Sequence, residues 1–214
     1  YFSTGPVDVL DHSCSVMAFG GKIGIDATAK TSEELSMRAP VSALESKPLD
    51  MDFIRQLYPE IKDINASLLH QEIGAVVISV AKNRPKHIEQ LAENLFQLDS
   101  FAPVKLLLVV ESRVDISDIG DAVWRFSNNV DPKRDARIIV SPHHPGRSHL
   151  IMDGTRKTKE LDGFQRDWPN ILASDEATIQ KIDDCWEKYG LGKFIPSPSL
   201  KYRNQLYGNK AVAE

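Results

Sequence analysis

The stretch from Lys105 to Val140 limits what this chain can fold into more than any other. Leu106, Leu107, Leu108, Val109 and Val110 are consecutive, apolar and partly β-branched. Such a run suits a strand covered on both faces, as in a parallel sheet. Asp115 or Ser117 can cap the helix that follows, with Asp118 and Asp121 in its electropositive first turn. Ile119, Ala122, Val123 and Phe126 recur at helical spacing and would face the sheet. Asn128, Asn129, Asp131 and Pro132 would stop the helix, and Arg137 to Val140 would start the next strand. A strand returning through a helix implies a parallel, right-handed crossover.

The residues before this stretch extend the pattern. Asp50 can cap a short helix with Phe53, Ile54, Leu57 and Tyr58 on one apolar face, ended by Pro59. Ile61 to Leu69 reads as an edge strand, and Ile73 to Ala81 as a second buried strand. A helix over Pro85 to Leu98 turns Ile88, Leu91, Ala92 and Leu95 inward. The core order is therefore β-α-β-α-β, an α/β layer in which the strands within residues 73–140 are expected to be parallel neighbours. Later, Ser174 to Tyr189 reads as a helix with Ser174 as N-cap, Ile179, Ile182, Trp186 and Tyr189 as its stripe, and Gly190 at its stop. Residues 36–49, with two prolines and no periodicity, read as a linker, and residues 191–214 as an extended tail.

Bulk properties exclude some classes of function. A formal net charge of −4 argues against nucleic acid or an anionic membrane as the main partner. No apolar run approaches the roughly 20 residues that span a bilayer. Two cysteines, Cys14 and Cys185, are too few for a disulfide framework, which favours a reducing compartment such as the cytoplasm. The sequence has no initiator Met, and Tyr1-Phe2-Ser3 reads like a strand already under way, so a fragment is expected.

Chemical motifs are sparse. Gly20-Gly21-Lys22-Ile23-Gly24 lacks the spacing of a dinucleotide fingerprint, and a plain turn is the expected reading over an anion cradle. Cys14 and His12 are too close in sequence to suggest an assembled nucleophile pair. His143, His144 and His149 crowd one loop, but no Cys or carboxylate there completes a ligand set. A solvated loop is the expected reading over a metal site.

Two segments carry a family resemblance. The first is an acidic turn after the apolar strand, then Asp121-Ala122-Val123-Trp124 and Val130-Asp131-Pro132-Lys133-Arg134-Asp135. The second is Gly5-Pro6-Val7-Asp8-Val9-Leu10-Asp11-His12 leading to Phe19-Gly20-Gly21-Lys22-Ile23-Gly24-Ile25-Asp26-Ala27-Thr28-Ala29-Lys30. Both resemble the C-terminal domain of UbiD-family decarboxylases, with Asn128-Asn129 standing where that family has Thr-Arg. In the family the second segment follows the first; here it precedes it. A degenerate form returns as Asp153-Gly154-Thr155-Arg156-Lys157-Thr158-Lys159-Glu160. Tandem duplication explains the order: residues 1–35 are expected to be the tail of a preceding copy, and residues 50–190 a second, diverged copy. That severed tail is expected to touch the 73–140 core little.

The resemblance implies antiparallel edge strands around a mainly parallel sheet. It also implies a carboxy-lyase acting on an aromatic or α,β-unsaturated acid, with quinone biosynthesis as the suggested setting. Prenylated FMN and a divalent metal would sit in an upstream catalytic domain, this chain's partner, with no catalytic, cofactor or metal residue in these 214. The C-terminal part would close the substrate pocket and join subunits into a homo-oligomer, partly through the helix near Ser174. Val9, Leu10 and His12 become the candidates for lining the pocket, against a loop that merely closes a strand. Two other readings stay open: a non-catalytic binding or oligomerisation module, and an independent α/β nucleotide-binding domain.

Overall fold

The computed structural model describes residues 1–26, 28–36, 47–141 and 146–213. It divides into two compact units, Tyr1–Arg166 and Asp167–Glu214. The first begins with a ribbon of β1 (Phe2–Pro6) and β2 (Phe19–Ile23), paired antiparallel, followed by a short helix α1 (Ser32–Ser36). Next come α2 (Met51–Leu57), β3 (Ile61–Asn65), α3 (Ser67–His70), β4 (Ala75–Val80) and α4 (His87–Leu95). The unit continues with β5 (Leu106–Glu111), α5 (Ile119–Asn129), α6 (Pro132–Asp135), β6 (Ala136–Val140), β7 (Ser148–Asp153) and α7 (Lys159–Asp162).

β3 to β7 form one mixed sheet in the order β3-β4-β5-β7-β6. The centre is parallel, with Val77 opposite Leu108 and Leu108 opposite Met152, and the two edges, β3 and β6, are antiparallel. The fold is thus the mixed, mainly parallel α/β sheet with antiparallel edges that the sequence implies. The neighbour relation within residues 73–140 differs. β6 is not the third parallel strand; β7 takes that place beside β5, and β6 pairs with β7. The connection over residues 141–147 is too short for a crossover, so β6 and β7 close as a hairpin.

β4 is buried at all six positions, as a strand covered on both faces must be. On one face Val76, Ile78, Val80, Leu107, Val109 and Ile151 pack against Ile54 of α2 and Ile88, Leu91, Ala92 and Leu95 of α4. On the other, Val77, Leu108, Val110 and Met152 pack against Ala122 of α5, with Ile119 and Phe126 partly buried there. Burying each of the fully buried Val, Leu and Ile side chains contributes about 1.5–3 kcal/mol.

Caps fall close to where local chemistry puts them. Asp50 accepts the Phe53 N–H and starts α2. Asp118, rather than Asp115 or Ser117, caps α5 by accepting the Asp121 N–H. The helix runs through Asn128 and Asn129, which do not stop it, because Asn129 is held inward by its side chain. Asp131 then caps α6. Gly20 to Ile23 lies in β2 rather than in a plain turn.

Phe2 and Ile23 of the ribbon pack on the α5 face of the sheet. The expectation that this segment touches the 73–140 core little is therefore not met. The Gly21 N–H donates to Asp131 Oδ1 at 3.0 Å, an approach that leaves no room for a side chain at Gly21, whose Cβ would lie 2.1 Å from that oxygen.

Of the expected linker, residues 37–46 lie outside the described residues, while Lys47 pairs with Asp99 and Leu49 packs on the core. The second unit holds α8 (Glu176–Asp184), capped by Asp175 instead of Ser174, and a 3-10 turn, Trp186–Tyr189, ended by Gly190. The segment from 191 onward includes α9 (Ser199–Tyr202) and folds back: Ala213 N–H donates to Trp168 O, and the Asn170 side chain donates to the carbonyls of Tyr207 and Lys210.

Candidate functional site

Parallel sheets concentrate chemistry beyond the carboxyl ends of their strands. At those ends of β4 and β7 a cleft of about 360 Å³ opens, lined by Lys82, His87, Arg134, Asp135, Asp153, Lys157 and Asp162 among others. Each of its deep cations is already matched. Lys82 Nζ lies 2.9 Å from both oxygens of Asp162 and donates to Arg156 O at 2.7 Å. Arg134 binds both oxygens of Asp135 at 2.7 Å. Lys157, 3% exposed, donates to the carbonyls of Asp153 and Thr155 and sits 3.3 Å from Asp153 Oδ1 and 3.5 Å from Asp135 Oδ1.

Burial pushes the Asp135 carboxyl up despite Lys157 and Arg134, and pushes the Lys82 ammonium down. Burial acts to raise Asp153 too, but Lys157, Lys82 and the Thr155 hydrogen bonds outweigh it and hold its pKa below the ordinary carboxylate value. The three deepest cations of the cleft, Lys82, Arg134 and Lys157, thus already serve carboxylates. The cluster ties together the ends of β7, α6 and α7. No chemical step is assigned to it.

A second network lies beyond β5, on the α5 side. Glu111, the last residue of β5, accepts from Arg125 Nη2 at 3.1 Å, from the Arg156 N–H at 3.1 Å and from Asn129 Nδ2 at 3.4 Å. Asp121, Arg125 and Asn129 are all buried, one turn apart along α5. This polar stripe escaped the sequence reading, which followed the apolar spacing instead. Its signal was present: an acid directly after five consecutive apolar residues needs a partner, and residues four apart share a helix face.

Asn129 joins this network to the expected pocket loop. His12 Nε2 lies 3.4 Å from Asn129 Oδ1. Burial pushes the His12 imidazole down, against the Asn129 hydrogen bond and Asp11. The loop between β1 and β2 is pinned at several points. Arg166 Nη1 donates to Asp11 O at 3.1 Å and Cys14 O at 2.7 Å, and Arg134 Nη1 donates to Ser13 O at 2.6 Å. At its tip Val9 and Leu10 stand exposed, Leu10 at 85%. The three candidates are thus close in sequence but differently placed: His12 is tied into the network, while Val9 and Leu10 project from the loop.

Of the three clustered histidines, His149 does not belong to a solvated loop. His149 lies in β7, buried, with Nδ1 2.5 Å from Val104 O and its ring stacked on Phe96 at 4.1 Å. His143 and His144 lie outside the described residues. Among the described residues no group of three or more His, Cys, Asp or Glu side chains is placed to hold a metal ion. Cys14 and Cys185 are both free thiols. No helix among the described residues is long and apolar enough to cross a membrane.

The two Asp-x-Thr motifs share one local geometry. Asp26 Oδ1 accepts from the N–H and hydroxyl of Thr28 at 3.0 and 2.6 Å; Asp153 Oδ1 accepts from those of Thr155 at 2.9 and 2.5 Å. Asp11–Ser13 and Asp115–Ser117 make the same bonds, so this is what Asp-x-Ser/Thr does generally. Gly154 replaces the Ala of the first motif for a packing reason. A Cβ there would meet Phe126 Cδ2 at 2.7 Å.

Residues 42–158, which contain the whole five-stranded sheet and both networks apart from Asp162, Arg166 and the N-terminal loop, match the family model of the 3-octaprenyl-4-hydroxybenzoate carboxy-lyase C-terminal domain. The chain belongs to this family. An uncharacterised protein of Helicobacter pylori (strain J99) is 32% identical over 204 residues, covering 94% of this chain and 29% of that protein. One from Aquifex aeolicus is 30% identical over 123 residues, 53% of this chain and 25% of that protein. The chain thus spans under a third of the length of these relatives. Among solved structures, the closed form of the vanillic acid decarboxylase of Sedimentibacter hydroxybenzoicus superposes with a TM-score of 0.51 at 19% identity, covering 66% of this chain and 31% of that one. At that identity the likeness is one of fold. It accords with UbiD-class architecture for the mixed sheet.

Proposed function

We propose that this chain is the C-terminal part of a UbiD-like carboxy-lyase that decarboxylates an aromatic or unsaturated acid, and that it closes the substrate pocket and supports assembly. Quinone biosynthesis is the setting, and the cytoplasm the compartment. Prenylated FMN and its divalent metal sit in the upstream catalytic domain of the longer protein. There the cofactor supplies the electron sink that accepts the carbanion left by carbon dioxide. This chain contributes no proton transfer; its residues position an apolar wall.

One observation carries the reading beyond the family match. The loop from Pro6 to His12 combines a pinned base with an exposed apolar tip, Val9 and Leu10. A wall that excludes water from a reacting carboxylate needs that combination of rigidity and apolar surface. The test is Leu10→Asp in the full-length enzyme with cofactor bound. Decarboxylation should fall at least tenfold in kcat/KM, about 1.4 kcal/mol of lost transition-state stabilisation, with the flavin spectrum unchanged. Unchanged kinetics would remove Val9 and Leu10 from the pocket.

A non-catalytic binding module is the second reading. The mutual neutralisation of Lys82, Arg134 and Lys157 by carboxylates favours it for the second copy. Full activity of the longer protein after removal of residues 50–190 would support this reading against pocket closure by that copy.

A further inference from the structure

We propose that the outer edge of the chain from Ile23, the last residue of β2, to Asp26 just beyond it is a parallel docking edge for one strand: the counterpart of β5 in a preceding copy of this α/β unit. The inference rests on the reading of the chain as the C-terminal part of a longer protein, and it names the partner of the N-terminal ribbon.

The argument is one of hydrogen-bond parity. Placing Asp26-x-Thr28-x-Lys30 on Asp153-x-Thr155-x-Lys157 sets Ile23 on Leu150 and Ile25 on Met152. In β7 the Leu150 N–H donates to Lys105 O at 2.8 Å, and the Gly154 N–H donates to Val109 O at 2.9 Å. Leu150, Met152 and Gly154 therefore turn their backbone groups towards β5, while His149 and Ile151 turn theirs to β6. In the ribbon, Gly24 exchanges both bonds with Tyr1, at 2.9 and 2.8 Å. Lys22 and Gly24 thus face β1, and Gly21, Ile23 and Ile25 face outward. The outward Gly21 N–H, donating to Asp131, confirms the sense of the alternation. The residues that face β5 in the second copy are those that face outward in the first.

The outer backbone groups of Ile23 and Ile25 make no hydrogen bond among the described residues. The Ile25 side chain is 77% exposed, whereas its counterpart Met152 is buried. Asp131 does not block the edge. It occupies Gly21, whose counterpart Ser148 lies outside the β5 pairing, which begins at Leu150. The H. pylori relative, of which this chain covers 29%, has ample chain for another unit of this size. An apolar strand with the character of Leu106–Val110 is the occupant this edge fits, in a register that places its counterpart of Leu108 opposite Ile25.

Hydrogen exchange tests the pairing. In the isolated 214-residue chain the Ile23 and Ile25 amides should exchange nearly freely; in the full-length protein they should be slowed roughly 1000-fold or more. A photo-crosslinker on Ile25→Cys in the full-length protein should attach to an apolar strand upstream of Tyr1. Equal exchange in both proteins, or a crosslink to any other segment, overturns the proposal. Decarboxylase activity, measured on the same preparation, reports separately on the catalytic reading. An active enzyme with unprotected Ile23 and Ile25 amides would sink this inference alone.

Discussion

Removing residues 1–35 should destabilise the remainder of the first unit by roughly 4–8 kcal/mol. Phe2 and Ile23 would leave the α5 face of the sheet, uncovering Val77, Leu108 and Val110 on that side. As partly buried side chains they account for about 1–2 kcal/mol each. Asp131 would lose the Gly21 N–H, Arg134 the Ser13 carbonyl, and Arg166 the carbonyls of Asp11 and Cys14. Bonds to charged groups contribute more than neutral ones, about 1.5–3 kcal/mol before water replaces part of the loss. A domain of this size shifts its midpoint about 2–4 °C per kcal/mol, so thermal unfolding should move down on the order of 10–30 °C. Scanning calorimetry of residues 36–214 beside the whole chain measures this directly. A midpoint within about 2 °C of the parent would refute the packing argument. It would restore the picture of a tail that merely accompanies its neighbour.

Three further perturbations follow from the geometry. Leu107→Asp places an unpaired carboxylate in the fully buried centre of β5, at a cost of several kcal/mol; loss of the cooperative urea transition is expected, and a folded variant would contradict the burial. Lys157→Met leaves Asp135 and Asp153 facing each other without their shared cation, a loss of about 3–5 kcal/mol. Adding Asp135→Asn should recover part of that in chemical denaturation. The depressed His12 pKa predicts a pH dependence: stability is unaffected well above the ordinary value of 6.5 and falls as the pH drops from there through the lower folded value. His12→Gln should flatten that part of the stability–pH curve, and an unchanged slope would show that the imidazole is not responsible.

Much of the architecture was legible locally, because local signals acted alone. The run of apolar residues in β5, the inward face of α4 and the Asp50 cap each depend on a few neighbours in sequence. The site was legible in part. The Pro6–His12 loop could be singled out by its motif, but its anchors could not: Asn129, Arg134 and Arg166 are more than a hundred residues away along the chain. The buried stripe of Asp121, Arg125 and Asn129 was hidden because polar residues on a helix are usually solvated. Glu111 at the end of β5 gives Arg125 and Asn129 their inward partner, and that position is set by the sheet.

Sequence by itself determined that this chain builds an α/β sheet with β4 and β5 buried and parallel, since two-sided burial demands apolar runs and a helix between them. Tertiary structure alone decided which later strand lies beside β5. β6 and β7 are both short and apolar, and either could have filled the place. β7 buries Ile151 and Met152, whereas β6 leaves Ile138 and Val140 exposed and suits an edge. The seven residues between them permit only a hairpin, so once β7 docks parallel to β5, β6 must run antiparallel outside it. The N-terminal ribbon was decided the same way: its docking depends on Asp131 meeting Gly21 across more than a hundred residues, a contact that no local pattern encodes.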